Sequence, residues 1–185
     1  MFQKFKHLFF LSLLLCGKVF SQSVTVSHAL GTSAFLKGET FSQALTYAPR
    51  LNFLFFGSGH TVSIGTTTSM AIVFASNAFD EPIVTFDVPL TLDLNLGHAS
   101  DEDSDAGFGG FVGLGPCYNN IWDYSYQQFN YRKLPGTVGL VFNGGIRFDS
   151  YVIGSYTLRG SYMLNFQNGG SNVIGLNVLI NLGDI

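Results

Sequence analysis

The sequence predicts an all-β fold, an eight-stranded antiparallel up-and-down transmembrane β-barrel, and three observations support this prediction. The 185 residues are 46% hydrophobic and 15% aromatic but only 11% charged, whereas a water-exposed surface normally carries about 25–35% charged residues. No stretch reaches the roughly 18 uninterrupted apolar residues that a membrane-spanning helix needs. Apolar and polar residues instead alternate with a period of two along most of the chain, which is the pattern of β-strands.

The N-terminus has the features of a secretory signal peptide. A basic start and an apolar run from Leu8 to Cys16 precede an abrupt change to polar residues after Ser21. This order predicts a signal peptide over residues 1–21, cleaved after Ser21, and a barrel domain over residues 22–185. The alternative is a lipid-modified Cys16, but three leucines precede this cysteine where lipoprotein signals have small residues.

Cleavage changes the charge and the cysteine count. Three lysines leave with the signal peptide, so six basic residues face twelve acidic ones and the net charge becomes −6. This acidic balance disfavours a nucleic-acid partner. Cys117 is then the single remaining cysteine, so the exported domain has no intrachain disulfide. A closed hydrogen-bonded barrel is another way to hold such a domain together.

Eight segments alternate, and the clearest is Val84 to Leu96, in which every even position is apolar. The eight predicted strands are Val24 to Phe35, Ala44 to Phe56, Thr61 to Phe74, Val84 to Leu96, Phe108 to Tyr118, Val138 to Phe148, Val152 to Phe166, and Val173 to Leu182. The face opposite the apolar one is rich in Gly, Ser, Thr, Asn and Ala, which suits the narrow interior of a small barrel better than a surface in water. The alternative is a soluble exported lipocalin-like barrel with its apolar face inside.

The connections then fix a topology. With a periplasmic N-terminus, the predicted outer loops are 36–43, 75–82, 119–136 and 167–172, and the predicted periplasmic turns are 57–60, 97–107 and 149–150. Long connections outside and short ones inside are the rule for such barrels. The turn 97–107 is long for its class.

Three segments resemble the outer-membrane β-barrel domain family found mainly in Bacteroidetes, which comprises OmpA-like eight-stranded proteins. They are the (I/V)-P-L strand Phe86–Leu92, the Gly-rich strand Gly107–Gly115 and the following strand Gly139–Phe148. Their order and spacing fit the family across the mature chain, although the last residue is Ile185 and not the terminal aromatic residue that is common in proteobacterial barrels. The resemblance implies an outer-membrane location, and most family members have no assigned activity.

Five charged residues fall on the face predicted to line the lumen: Arg50, Asp87, Asp93, Arg147 and Arg159. An unpaired charge in a narrow lumen is costly, so opposite charges are expected to meet. We predict a pair of Asp93 with Arg147 and a cluster of Asp87 with Arg50 or Arg159. Since eight strands leave no aqueous channel, this network is expected to close the barrel and not to select ions.

The predicted outer loop 119–136 is the most distinctive connection. It carries five aromatic residues, which are Trp122, Tyr124, Tyr126, Phe129 and Tyr131. Aromatic side chains with polar tips recur at recognition sites and also form interfacial belts. The loop is therefore a candidate extracellular interaction site, and a self-packed aromatic belt is the alternative.

Other polar clusters fit catalysis or metal binding poorly. The acidic run 101–105 lacks the glycine and the closing glutamate of a calcium loop. His98 and Ser100 place a base near a hydroxyl, but in a predicted periplasmic turn away from the outer leaflet. His28 and His60 have no clustered ligands nearby, so no metal site, cofactor or catalytic residue is predicted.

We therefore predict a monomeric outer-membrane barrel with a structural or surface-interaction role, in contact with outer-membrane lipid and with no nucleic acid. Two alternatives stay open. One is a lipid-modifying outer-membrane barrel enzyme, and the other is the soluble exported lipocalin-like binding barrel.

Overall fold

The structure is a computed structural model that describes residues 24–38, 40–55, 59–73, 83–97, 107–121, 136–150, 154–167 and 170–184. The predicted signal peptide, the acidic run 101–105 and the pair His98 and Ser100 lie outside these residues. Within the described ranges, no helix is long and apolar enough to cross a membrane.

The described chain forms antiparallel strands that close on themselves. The strands are β1 Thr25–Lys37, β2 Thr40–Phe55, β3 His60–Thr66, β4 Thr68–Val73, β5 Ile83–Gly97, β6 Phe108–Asn119, β7 Thr137–Ser150, β8 Gly154–Asn165 and β9 Val173–Asp184. Apart from β3 and β4, which do not pair with each other, strands that follow one another in sequence are paired, and β1 also pairs with β9, which closes the sheet. Both β3 and β4 lie between β2 and β5, so the two segments share one position in an eight-stranded barrel.

The break between β3 and β4 has a local cause. The register of these two segments against β5 is the same on both sides of the break, and it places Thr67 opposite Pro89. Proline has no N–H to donate to a neighbouring strand, so the ladder is interrupted there. The predicted strand Thr61 to Phe74 is therefore correct in position but discontinuous.

Apolar side chains cover the outside of the barrel, and polar ones fill the inside. In β5, Leu90 and Leu92 are 52% and 53% exposed, while Thr91 between them is 1% exposed. Every strand carries large apolar side chains on the outer face. This arrangement confirms the predicted transmembrane barrel and excludes the lipocalin-like alternative, which requires the apolar face inside.

The first connection differs from its prediction. An outer loop was predicted over 36–43, but β1 continues to Lys37 and β2 begins at Thr40. Lys37 and Ser42 look like loop residues in the sequence, yet both are buried in the polar interior, so the period-two pattern continues through them. Gly38 adopts a left-handed backbone with φ of 59°, which allows a tight turn between the two strands. This connection is therefore short although it lies at the end predicted to be extracellular.

The two ends of the barrel are called the turn end and the loop end. The turn end holds the start of β1, the end of β9 and the connection between β2 and β3. The loop end holds the tight turn after Lys37 and the connection between β6 and β7.

Candidate functional site: the barrel interior

A cluster of apolar side chains fills the lumen at the loop end. Each member is at most 3% exposed, and together they come from β1, β6, the segment after β6, β7, β8 and β9: Phe35, Cys117, Ile121, Val141, Met163 and Val173. We call this group the apolar plug. Five adjacent strands and the segment after β6 contribute to the plug, and Ala44 of β2 packs against it.

A buried lysine joins the plug to the neighbouring polar residues. Lys37 is 3% exposed, and its Nζ donates to the Ile121 carbonyl oxygen at 2.9 Å and to Thr137 Oγ1 at 3.2 Å. A longer contact of 3.4 Å reaches Asn119 Oδ1. Lys37 thus connects the end of β1 to both strands that flank the connection 122–135.

Asp87 lies next to this lysine network. Its Oδ1 accepts a hydrogen bond from Asn119 Nδ2 at 2.8 Å and lies 3.4 Å from Cys117 Sγ. Lys37 and Arg159 both attract this carboxylate electrostatically. The Cys117 thiol is a buried part of the plug, a setting that suits packing and not nucleophilic attack.

A layer of hydroxyl and amide groups follows towards the middle of the barrel. Thr46 Oγ1 and Ser69 Oγ are 2.8 Å apart, and Ser33 Oγ is 3.2 Å from Ser69 Oγ. Ser33 also hydrogen-bonds Thr46 and accepts a hydrogen bond from Asn177. Four strands are thereby linked through the lumen by side chains alone.

The half of the lumen near the turn end contains most of the predicted charges. Arg147 Nη1 donates to Asn95 Oδ1 at 2.8 Å, and Asn95 Nδ2 donates to Ser63 Oγ at 2.8 Å. Asp93 Oδ1 accepts a hydrogen bond from Asn143 Nδ2 at 3.1 Å. Asp93 and Arg147 are 3% and 4% exposed, so both charges are removed from bulk water.

One aromatic ring organises the two innermost arginines. The guanidinium carbons of Arg147 and Arg159 lie 4.3 Å and 5.9 Å from the Phe111 ring centroid, within the range of cation–π attraction. A Cβ added at Gly145 would overlap the Phe111 ring, and one added at Gly113 would overlap the Asp93 carboxylate. Glycines therefore provide the space that these large and charged side chains occupy.

Four of the five predicted lumen charges surround one cavity of about 40 Å³, to which Arg50, Asp93, Arg147 and Arg159 all contribute. Arg50 Nε also donates to Ser27 Oγ at 2.9 Å. Asp87 is not part of the cavity lining and lies with Lys37 and Asn119 nearer the loop end. The pair of Asp93 with Arg147 and the cluster of Asp87 with Arg50 or Arg159 stay predictions.

Sequence reasoning missed Lys37, Asn95, Asn119 and Phe111 as interior partners. Lys37 continues the alternation that places Ser33 and Phe35 inside, so extending the predicted first strand by two residues predicts that Lys37 faces the interior. Asn95 and Asn119 are neutral, and a search for charges passes over them.

The other candidate residues lie apart from this interior network. His28 and Tyr47 stack with ring centroids 5.9 Å apart, and His28 Nδ1 is 2.6 Å from Tyr47 Oη. His60 is exposed at the start of β3. In the part of the chain that the structure describes, no three His, Cys, Asp or Glu residues are grouped to hold a metal ion. The loop aromatics Trp122, Tyr124, Tyr126, Phe129 and Tyr131 lie outside the described residues.

The barrel resembles solved structures of small outer-membrane proteins. Neisserial surface protein A (NspA) superposes with a TM-score of 0.50 at 8% identity, over 85% of this chain and 94% of that one. The attachment invasion locus protein Ail of Yersinia pestis, in complex with the heparin analogue sucrose octasulfate, superposes with a TM-score of 0.50 at 10% identity, over 87% of this chain and 100% of that one. No protein-family model and no curated protein sequence matches the chain.

At these identities the likeness concerns the fold. A closed eight-stranded antiparallel sheet, apolar outside and polar inside, defines an outer-membrane β-barrel protein. The apolar outer face has no place in water, so the barrel resides in the outer membrane, as the sequence predicts.

Proposed function

We propose that this protein is a non-conducting and non-catalytic barrel with a structural or surface-interaction role. The observation that supports the proposal is that interior side chains occupy the lumen at three levels. The apolar plug lies at the loop end, the layer of Ser33, Thr46, Ser69 and Asn177 lies in the middle, and the arginine network lies at the turn end.

A pore requires a continuous polar path, and the plug places six buried apolar side chains in the lumen at the loop end. Water and ions avoid a region in which no polar group replaces their hydration. Opening the plug would expose six buried apolar side chains and break the Lys37 hydrogen bonds beside them. A closed resting barrel is thus the favoured state.

Conductance in planar lipid bilayers tests this proposal. The purified, refolded protein is expected to give no large stable channels. The double variant Phe35→Ala, Met163→Ala removes two plug side chains and is expected to give more frequent or larger conductance steps. Large stable channels in the unmodified protein would contradict the non-conducting role.

The enzyme alternative needs a nucleophile, a base and an acid at a membrane interface. Among the described histidines, His28 lies against Tyr47 and His60 lies at the end of a strand, and His98 and Ser100 belong to the predicted periplasmic turn. We therefore keep the non-catalytic role. Release of labelled fatty acid from outer-membrane vesicles by the purified protein, lost in the variant Ser100→Ala, would favour the enzyme instead.

The connection 119–136 is the proposed site of surface interaction. Its two ends are held firmly, since Lys37 binds Ile121 and Thr137, and Gln167 Nε2 donates to the Gly136 carbonyl oxygen at 2.8 Å. Fixed ends reduce the entropy that the connection loses when it binds a partner. Ail, which shares the fold, was solved with a heparin analogue bound, so small barrels of this shape are able to present ligand sites.

Trp122 provides a direct test because it is the single tryptophan of the chain. The protein is titrated with two probes, a neutral oligosaccharide and sucrose octasulfate, while the fluorescence of Trp122 is measured. A saturable change with either probe, reduced in the double variant Tyr124→Ser, Tyr126→Ser, supports a ligand site. No change with either probe favours a self-packed aromatic belt.

We further propose that the chain is a monomer and belongs to the Bacteroidetes-type barrel family. The strand Phe86–Leu92 and the Gly-rich β6 support the family proposal, because they carry the resemblance in the sequence. Light scattering of the protein in detergent, corrected for bound detergent, tests the monomer.

A further inference from the structure

The two ends of the lumen differ in how far solvent reaches their inward-facing residues. At the loop end, the residues of the lysine network are each at most 3% exposed: Lys37, Asn119, Ile121 and Thr137. At the turn end, inward-facing side chains on four adjacent strands are only partly buried: Arg50 of β2, Ser27 of β1, Asn181 of β9 and Ser155 of β8. Among the described residues, solvent therefore enters the lumen from the turn end.

The opposite wall of the turn end is closed. Thr61, Ser63 and Asn95, on β3 and β5, are fully buried. Asn95 Nδ2 joins the three residues by donating to the Thr61 carbonyl oxygen at 3.1 Å and to Ser63 Oγ at 2.8 Å. The opening is thus confined to the side of the barrel formed by β8, β9, β1 and β2.

The cavity of about 40 Å³ lies behind this opening. Three of the four partly buried residues named above belong to its wall, together with the buried Asp93 and Arg159. Small residues on the same wall, namely Ala29, Ala48 and Gly65, leave the space free. A space of this size holds about three water molecules. The cavity therefore connects residues in contact with solvent to two buried charged residues.

Arg159 has a donor that water is able to satisfy. Its Nη2 has no hydrogen-bond partner among the described residues, and a buried N–H without an acceptor costs free energy. Water accepts from the guanidinium and also donates to other polar groups of the wall, where Thr157 Oγ1 and Asn181 Oδ1 lie 3.1 Å apart. Because the cavity is open on one side, water reaches Arg159 from bulk solvent.

The middle of the barrel limits how far this water extends. Ser33, Thr46, Ser69 and Asn177 are each at most 3% exposed, and they hydrogen-bond one another across the lumen. The apolar plug follows this layer towards the loop end. Water avoids a region in which no polar group replaces its own hydrogen bonds, so we expect the hydrated part of the lumen to end at this layer.

We propose that the turn-end half of the lumen is a blind aqueous vestibule, which opens beside Ser27 and Asn181 and ends at the layer of Ser33. Its ligand is water, which hydrates Arg159 and Asp93 and exchanges with bulk solvent. Hydration lowers the cost of keeping these two charges inside the barrel. In the predicted topology the vestibule faces the periplasm, and it does not depend on any ligand of the connection 119–136.

Silver ion tests the vestibule, because it is small, is charged and therefore avoids the micelle core, and binds thiolates. The variant Thr157→Cys places a thiol on the cavity wall, and Cys117 of the plug is a second thiol in the same molecule. The refolded mature protein is exposed to silver nitrate at pH about 8.5, where a hydrated thiol is partly ionised. After excess silver is removed, the protein is unfolded in urea and its free thiols are counted with a maleimide dye.

The two thiols are expected to behave differently. The unmodified protein keeps its thiol, and Thr157→Cys loses one of its two, because silver reaches the cavity but not the plug. Unfolding during the exposure would remove both thiols, so Cys117 is the internal control. Loss of the Cys117 thiol, or retention of both thiols in Thr157→Cys, would overturn the proposal.

A second variant and a diffraction experiment complete the test. If Thr157→Cys does not fold, Ser27→Cys places the thiol at the opening, and the same loss of one thiol is expected. Crystals of the unmodified protein grown in bromide, which scatters anomalously, are expected to show water density and no anomalous peak beside Arg159 Nη2. A bromide peak at that position, or a cavity without water density, would contradict the assignment of water as the ligand.

Discussion

The Nζ of Lys37 donates a hydrogen bond of 2.9 Å to the carbonyl oxygen of Ile121, across a separation of 84 residues in the chain. The contact fastens the end of the first strand to the segment that leads into the connection 122–135. It places a cation inside the barrel, beside apolar plug residues and close to Asp87. One buried lysine therefore joins the end of β1 to the residues on both sides of this connection.

Replacement of this lysine is expected to destabilise the barrel. Lys37→Met keeps the length of the side chain but leaves the Ile121 carbonyl and Asn119 without this donor, at a cost of about 1–3 kcal/mol in the free energy of unfolding. Urea unfolding in detergent micelles, followed by tryptophan fluorescence, measures the change. The matched control is Leu36→Met, which alters the adjacent outward-facing residue and is expected to have little effect. Equal stability of the two variants would contradict the role of Lys37.

The pair predicted between Asp93 and Arg147 is accessible to a double-mutant cycle. The variants Asp93→Asn, Arg147→Met and their combination are compared with the unmodified protein by urea unfolding. A direct charge interaction in the lumen gives a coupling energy of about 1–3 kcal/mol. Additive effects, with coupling near zero, would show that the two residues act independently, Asp93 through Asn143 and Arg147 through Asn95.

Two glycines on β6 are expected to respond differently to the same substitution. A Cβ at Gly113 would overlap the Asp93 carboxylate and the Leu92 carbonyl, whereas a Cβ at Gly110 meets the Gly145 carbonyl oxygen at an ordinary 3.5 Å. Gly113→Ala is thus expected to cost about 1–3 kcal/mol through overpacking, and Gly110→Ala to be close to neutral. Thermal unfolding of both proteins in the same detergent provides the comparison. A neutral Gly113→Ala would mean that Asp93 does not occupy this space.

Trp122 reports the position of the connection 119–136. If the connection projects outward as proposed, acrylamide in the aqueous phase quenches the fluorescence of Trp122, and brominated lipids in vesicles have little effect on it. If the aromatic residues form an interfacial belt, the brominated lipids quench strongly. The two quenchers are applied to the same vesicle preparation, so the ratio of their effects is the measured quantity.

The predicted signal peptide gives a defined N-terminus. Protein purified from outer membranes is expected to begin at Gln22, with residues 1–21 removed. N-terminal sequencing together with the intact mass identifies the first residue. A mature chain that begins at Cys16 and carries the mass of attached lipid would establish the lipoprotein alternative instead.

The alternation of side chains allows much of this fold to be predicted from the sequence. The exposure of Leu90 and the burial of Thr91 follow directly from their even and odd positions in the alternating pattern, because successive residues of a strand point to opposite faces. The burial of Lys37 is harder to predict, since a charged residue next to Gly38 is typical of a loop. Its burial depends on Ile121 and Thr137, which lie more than 80 residues away.

The candidate site is less predictable than the strands. The alternation predicts that the five charged residues face the lumen. It does not predict their partners, because these depend on the stagger between strands that are distant in sequence. Phe111 lies near both Arg147 and Arg159, and nothing in the local sequence of β6 indicates which arginines its ring meets. The cavity depends in addition on small residues of β1, β2 and β3, which become neighbours of the arginines only when the barrel closes.

The pairing of β1 with β9 has a consequence for biogenesis. The first strand receives its second partner from the final twelve-residue strand of the described chain, so the sheet has two open edges until β9 pairs with β1. Open edges with unpaired backbone groups are not tolerated in a bilayer and invite aggregation in water. Closure of the barrel therefore requires β9, and a copy truncated before β9 is expected to keep two open edges and not to form a smaller barrel.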